Sequence, residues 1–213
     1  MDILIIVVGV AFAVTVHEFC HAWVADRLGD PTPRMQGRIS LNPIRHFDLF
    51  GTISLILFKF GWGKPVQFNP HNLKYPKRDS ALIALAGPMA NLITALALAT
   101  PLRLLDQQMT LESSGTVVFL FIILKGISDI SVILFSLNML PFPPLDGSKI
   151  VGLLVPKRFE RHYAEYLFKA PQYGILFILF DVFFIRNVFG FSVLGTIVGA
   201  IAQWVFALVS LGA

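Results

Sequence analysis

The sequence predicts an all-α, polytopic membrane protein with a small extended element near the cytoplasmic face. Three observations carry that reading. Of 213 residues, 55% are hydrophobic and 14% charged, with a mean hydropathy of +0.72, whereas a soluble domain of this length needs fewer apolar residues and carries more charge. The apolar residues fall in long blocks, and in hydrocarbon every backbone N–H and C=O must be paired within its own segment, so such blocks are helical. Between the blocks stand short polar stretches punctuated by proline and glycine. About five to six membrane segments are expected, some of them re-entrant or broken.

The first span is residues 3–24, with His17, Glu18 and His21 in its second half. Residues 25–48 are polar, and Pro31, Pro33, Asn42 and Pro43 interrupt any helix there. Within that stretch, 37–41 (GRISL) reads as a short strand. Residues 50–60 are apolar but too few to cross ~30 Å of hydrocarbon, so a re-entrant or interfacial segment is expected. Residues 61–68 (GWGKPVQF) read as extended and 69–79 as a basic loop. Residues 81–105 form a clear span carrying Gly87, Pro88 and Asn91, and 106–115 a short, mildly acidic loop. As one helix, 116–155 would be ~60 Å long, so it must break, and Pro141, Pro143 and Pro144 mark the place. Residues 156–171 are basic with an amphipathic pattern. Residues 175–185, which include Asp181, and 191–211 read as closing spans.

The net charge of +4 does not point to nucleic acid, because the basic residues lie in loops flanking apolar segments. Residues 25–48 hold four Arg, 61–79 four Lys or Arg, and 147–171 five, against Arg103 alone near the acidic loop. If 50–60 returns to the side it enters from, these loops share one face. The positive-inside rule makes that face cytoplasmic and puts the N-terminus outside. The apolar start has no basic n-region, so a cleavable signal peptide is not expected. The single cysteine, Cys20, excludes an internal disulfide.

His17-Glu18-Phe19-Cys20-His21 is an HExxH motif. On a helix, residues four apart project from nearly the same face, so both imidazoles can reach one Zn²⁺. Glu18 then lies beside the metal, where it can take a proton from the attacking water and later deliver it to a leaving amine. Two histidines and a carboxylate inside a membrane helix are costly unless paired or bound, which favours a functional site over a polar helix end at the interface. Catalytic zinc needs a third protein ligand and an open position. Asp146, in Leu145-Asp146-Gly147 after the proline-broken stretch, is the candidate. Read alone, that tripeptide fits an N-cap in the headgroup region equally well.

HEFCH, GPMAN at 87–91 and SLNMLPFPPLDG at 136–147 together resemble the site-2 protease (M50) family of intramembrane zinc metalloproteases. GRISLNPIRHFDLFGT and FGWGKPVQFNP resemble its compact prokaryotic branch, without PDZ or CBS domains. The likeness runs over about residues 11–155. It implies one Zn²⁺ per chain held by His17, His21 and Asp146, with Glu18 as acid/base and Asn138 holding the substrate carbonyl or oxyanion. A side-chain amide aimed at developing negative charge suits that last role. Ser148 stands where the family often has a second glycine and Leu49 where it often has proline; neither touches a ligand position.

The resemblance thus implies a single membrane-embedded metalloprotease domain over 1–213, with its catalytic core at about 3–155 and closing segments at about 172–212. Its partners would be the lipid bilayer and a membrane-protein substrate with a transmembrane segment. Its location would be the prokaryotic plasma membrane, with the active site toward the cytoplasm. The oligomeric state is not legible. A metal transporter using the same His and Asp groups, or a non-catalytic scaffold, are the rival classes; neither needs Glu18 beside the metal. His46, His71 and His162 lack partners at ligand spacing and read as loop or interface residues. Asn91 reads as an interhelical bond, and Lys125 with Asp129 as an i,i+4 pair.

Overall fold

A computed structural model describes residues 3–58, 61–109 and 114–211. Its helices, in chain order, are α1 (Ile3–Arg27), α2 (Thr32–Met35), α3 (Leu49–Phe58), α4 (Pro76–Gln108), α5 (Gly115–Asn138), α6 (Asp146–Gly152), α7 (Glu160–Lys169), α8 (Pro171–Phe180), α9 (Arg186–Phe189) and α10 (Val193–Leu211). Among the described residues, four stretches are long and apolar enough to cross a membrane: α1, α4, α5 and the run Pro171–Phe189, in which a π-turn joins α8 to α9. The chain is an all-α, polytopic membrane protein.

Small residues set the helix packing. The buried face of α1 reads Gly9, Ala13, His17, His21, Ala25, one residue per turn, with the histidines placed where the stripe otherwise has no bulk. On α4 the corresponding stripe is Gly87, Asn91, Ala95 and Ala99. Without a hydrophobic drive between lipid-immersed helices, close backbone approach at such stripes supplies the packing. Gly9 of α1 lies so near Gly126 and Ile130 of α5 that an added Cβ would stand 3.0 Å from the Gly126 carbonyl oxygen. The triad α1, α4 and α5 forms the centre of the molecule. Against it α10 buries Ala202, Val205 and Val209 on Ala95, Ala99 and Val132.

The segment after α1 turns back. The ten residues of α3 span ~15 Å, half of a hydrocarbon core. An antiparallel bridge between Phe47 and Gly63 brings the two ends of this excursion together, as a re-entrant or an interfacial segment requires. Positions 59 and 60 lie outside the described residues, as do 110–113 of the acidic loop. Residues 61–69 form a non-helical strap that carries the bridge at Gly63. The strand expected at 37–41 does not form. Its amides bond locally, Arg38 N–H to Pro33 O and Ser40 N–H to Arg38 O, and no sheet exists among the described residues.

The proline-marked break is present. Helix α5 ends at Asn138, residues 139–145 are irregular, and α6 opens on Asp146. Leu140 and Leu145 of this stretch pack against Leu194 and Val198 of α10, with Phe142 and Ile178 beside them. The closing segments therefore prop the loop that leads to Asp146. Asp181 explains the start of α10: it accepts the Ser192 hydroxyl and the amides of Val193 and Leu194, satisfying helix-end donors that would otherwise be orphaned. Lys125 and Asp129 pair with each other at 2.9 Å.

Candidate metal centre

The described residues contain one group of three or more His, Cys, Asp or Glu that could hold a metal ion: His17, His21 and Asp146, all buried. His21 Nε2 lies 2.9 Å from His17 Nε2, and Asp146 Oδ2 lies 3.2 and 3.1 Å from the two. These separations approach the ~3.3 Å edge of a tetrahedron with ~2.0–2.1 Å bonds. Helical spacing brings the histidines together. The α5–α6 break brings the aspartate, 125 residues further on, to the same point.

The outer nitrogens decide what the inner ones can do. His17 Nδ1–H donates to Asn91 Oδ1 at 2.7 Å, and His21 Nδ1–H donates to the Ile83 carbonyl at 2.6 Å. Asn91 Nδ2 donates to Ala13 O at 3.0 Å, which turns its oxygen toward His17. With both Nδ1 atoms committed as donors, each neutral imidazole presents a lone pair at Nε2. Two lone pairs and a carboxylate oxygen at about 3 Å repel one another unless a cation sits among them. Two imidazoles and one carboxylate are also a donor set of catalytic zinc sites. Space for the ion comes from Gly87, whose Cβ, were there one, would overlap both Nε2 atoms. The residues present fit zinc.

Asp146 is the first residue of α6, and the capping position before it is Leu145, which makes no side-chain cap. Its carboxylate faces the histidines, with Lys149 Nζ 3.5 Å from Oδ1, so the N-cap alternative does not describe it. Gly147 gives this turn its tightness, since a Cβ there would collide with the Leu140 and Met139 carbonyls. Glu18 is half-buried on α1 and accepts the Val66 amide at 2.8 Å. Asn138 is the last residue of α5, and its Nδ2 donates to Leu134 O at 3.0 Å.

His71 and His162 are exposed and His46 is buried with Nε2 on Ser40 O; none joins the cluster. Burial pushes the His46 imidazole toward its neutral form. Sequence reading placed Asn91 between helices. Its orientation of His17 follows from the position one α1 turn away from Ala13, which the sequence of α4 alone does not reveal. Arg38, near Glu18 and buried, was not singled out by any motif spacing.

A family model described as peptidase family M50 matches residues 5–124, which takes in His17, Glu18, His21 and Asn91 and stops short of Asp146. "Putative zinc metalloprotease YwhC" of Bacillus subtilis is 38% identical over 189 residues, covering 87% of this chain and 81% of its own length. "Putative zinc metalloprotease Rip2" of Mycolicibacterium smegmatis is 30% identical over 183 residues, covering 83% and 65% respectively. Its namesake in Mycobacterium tuberculosis is 28% identical over 197 residues, covering 83% and 73%. No solved structure gives a significant match. With zinc as its metal and membrane helices as its frame, the chain belongs to peptidase family M50, the site-2 protease family of metalloproteases.

Proposed function

We propose that the chain is an intramembrane protease that hydrolyses a peptide bond in or beside a transmembrane segment of another membrane protein. The observation that carries this is the position of the three-donor cluster. His17 lies ten residues before the end of α1, ~15 Å along the helix axis, so the centre sits within an apolar span rather than on a soluble face.

Zinc, when bound, supplies Lewis acidity to the scissile carbonyl and to the attacking water. His17, His21 and Asp146 hold it, and Asn91 and the Ile83 carbonyl keep the imidazoles turned inward. Glu18 takes the proton from water and delivers it to the leaving amine. Asn138 donates to the scissile carbonyl as negative charge grows there; an amide N–H₂ has two donors, and Leu134 O takes one. A helical substrate hides its carbonyls in i to i−4 bonds and must unwind locally before attack. The exposed outer edge of the strap is suited to hold the unwound stretch by strand addition. The charge of the basic loops supports a site toward the cytoplasmic side, and the proposed location is the prokaryotic plasma membrane.

The test separates metal binding from catalysis. Glu18→Gln should retain about one zinc per chain and lose cleavage of a reporter substrate, because Glu18 adjoins the metal without holding it. Asp146→Ala should lose both. Cleavage by Glu18→Gln at the wild-type rate would overturn the mechanism.

A further inference from the structure

Among the described residues Glu18 has one hydrogen bond, and it comes from the main chain: the Val66 amide donates to Oε2 at 2.8 Å. A glutamate side chain is otherwise free about three torsions, and ordering such a chain opposes any single geometry. The strap that supplies this donor belongs to no sheet. Its attachments include the bridge from Gly63 to Phe47, the Lys64 amide on His46 O at 2.8 Å, the Asn69 amide on Asp30 Oδ2 at 2.6 Å, the Phe68 side chain packed beside Ala25, Leu73 and Ile83, and Arg38.

Arg38 is 4% exposed. Its guanidinium fork donates Nη1 to the Arg45 carbonyl and Nη2 to the Lys64 carbonyl. One side chain thus ties the backbone before α3 to the backbone after it, two residues from the amide that meets Glu18. Burying a guanidinium on neutral carbonyls, with Nε left without a partner, is a costly way to close a hairpin that an apolar residue could pack. Arg38 also lies within electrostatic reach of Glu18. The fork geometry, rigid and two-pronged, is what arginine supplies and lysine does not.

We propose that the strap 61–69 is the positioning element of Glu18, through the Val66 amide, and that Arg38 is the positioning residue that clamps the strap in place. This rests on the protease reading and deepens it. The main-chain groups of Lys64 and Val66 face Arg38, His46 and Glu18, while Pro65 and Gln67, which alternate with them, are exposed, as is the Lys64 side chain. A peptide paired with the outer edge and the general base therefore share one stretch of backbone.

The zinc-loaded full chain in lipid nanodiscs allows the test, with amide exchange and turnover per zinc read on the same samples. Glu18→Ala should speed exchange of the Val66 amide by about tenfold or more, the loss of a charge-assisted bond, and leave the Lys64 amide unchanged. Arg38→Ala should speed both and lower turnover about 10- to 100-fold, the effect of a misplaced catalytic group, with one zinc per chain retained. Val66→Pro, which removes the donor and also fixes the backbone φ there, should lower turnover to the same degree at normal zinc content. Unchanged Val66 exchange in Glu18→Ala, or wild-type turnover per zinc in Arg38→Ala or Val66→Pro, overturns the proposal. Should the wild-type chain cleave no membrane substrate, the protease reading falls, and the exchange pattern alone upholds or overturns the joint between strap and Glu18.

Discussion

Alanine at Gly87 tests the metal centre without removing any ligand. A Cβ at this position would stand 2.7 Å from His17 Nε2 and nearer still to His21 Nε2, whereas ordinary contacts begin at 3.4 Å. The His17 ring must therefore retreat by about 0.7 Å and the His21 ring, whose Nε2 would lie 2.3 Å away, by about 1.1 Å. They have little room to do so, since His17 is bonded to Asn91 and His21 to the Ile83 carbonyl. Ligand distances in such a site tolerate only about 0.2 Å. Loss of an orienting partner alone weakens metal binding about 10- to 100-fold, so displacing two ligands together should exceed the upper figure. The assay is zinc per chain after dialysis, with affinity from chelator competition and helix content and thermal midpoint as controls. A folded Gly87→Ala chain that holds one zinc at wild-type affinity would refute the placement of the ion among His17, His21 and Asp146.

Asn91→Ala should weaken zinc about 10- to 100-fold, because it frees the His17 ring and unties α4 from Ala13 O; chelator competition measures it. Asn138→Ala should lower turnover about 100-fold or more with normal zinc content if its amide meets the substrate carbonyl, and Asn138→Asp should do no better. Normal activity per zinc-loaded molecule would remove Asn138 from the catalytic set. Single cysteines at Arg34 and Lys74, with Cys20 replaced, should both label from the cytoplasmic side and one at Gln107 from outside. Labelling of Arg34 and Lys74 from opposite faces would contradict the proposed orientation.

Local pattern made much of the molecule readable before any contact was known. The apolar blocks specify spans because lipid leaves a backbone no partner but itself. His17 and His21 share a face because four residues make about one helical turn. Residues 50–60 read as a segment that does not cross because ten or eleven residues cannot reach across, and Pro141, Pro143 and Pro144 stop α5 because they remove donors. These are properties of a segment and its solvent, so a single sequence carries them.

Contacts between distant segments were decided only by tertiary structure. Leu-Asp-Gly suits a helix cap as well as a ligand until α6 is docked on α4, which is what brings Asp146 to the imidazoles of α1. Asp181 carries no sign that it caps α10, and nothing near Arg38 in sequence names the Lys64 carbonyl it holds. GRISL reads as a short strand, but a local preference for extended backbone names no neighbour, and local turns take its amides instead. Helical periodicity is written in neighbouring residues, whereas a hydrogen bond between segments depends on where packing puts each donor. The ligand spacing on α1 was therefore legible from sequence alone. The third ligand's approach, the orientation of His17 by Asn91 and the bond that holds Glu18 required the packed helices.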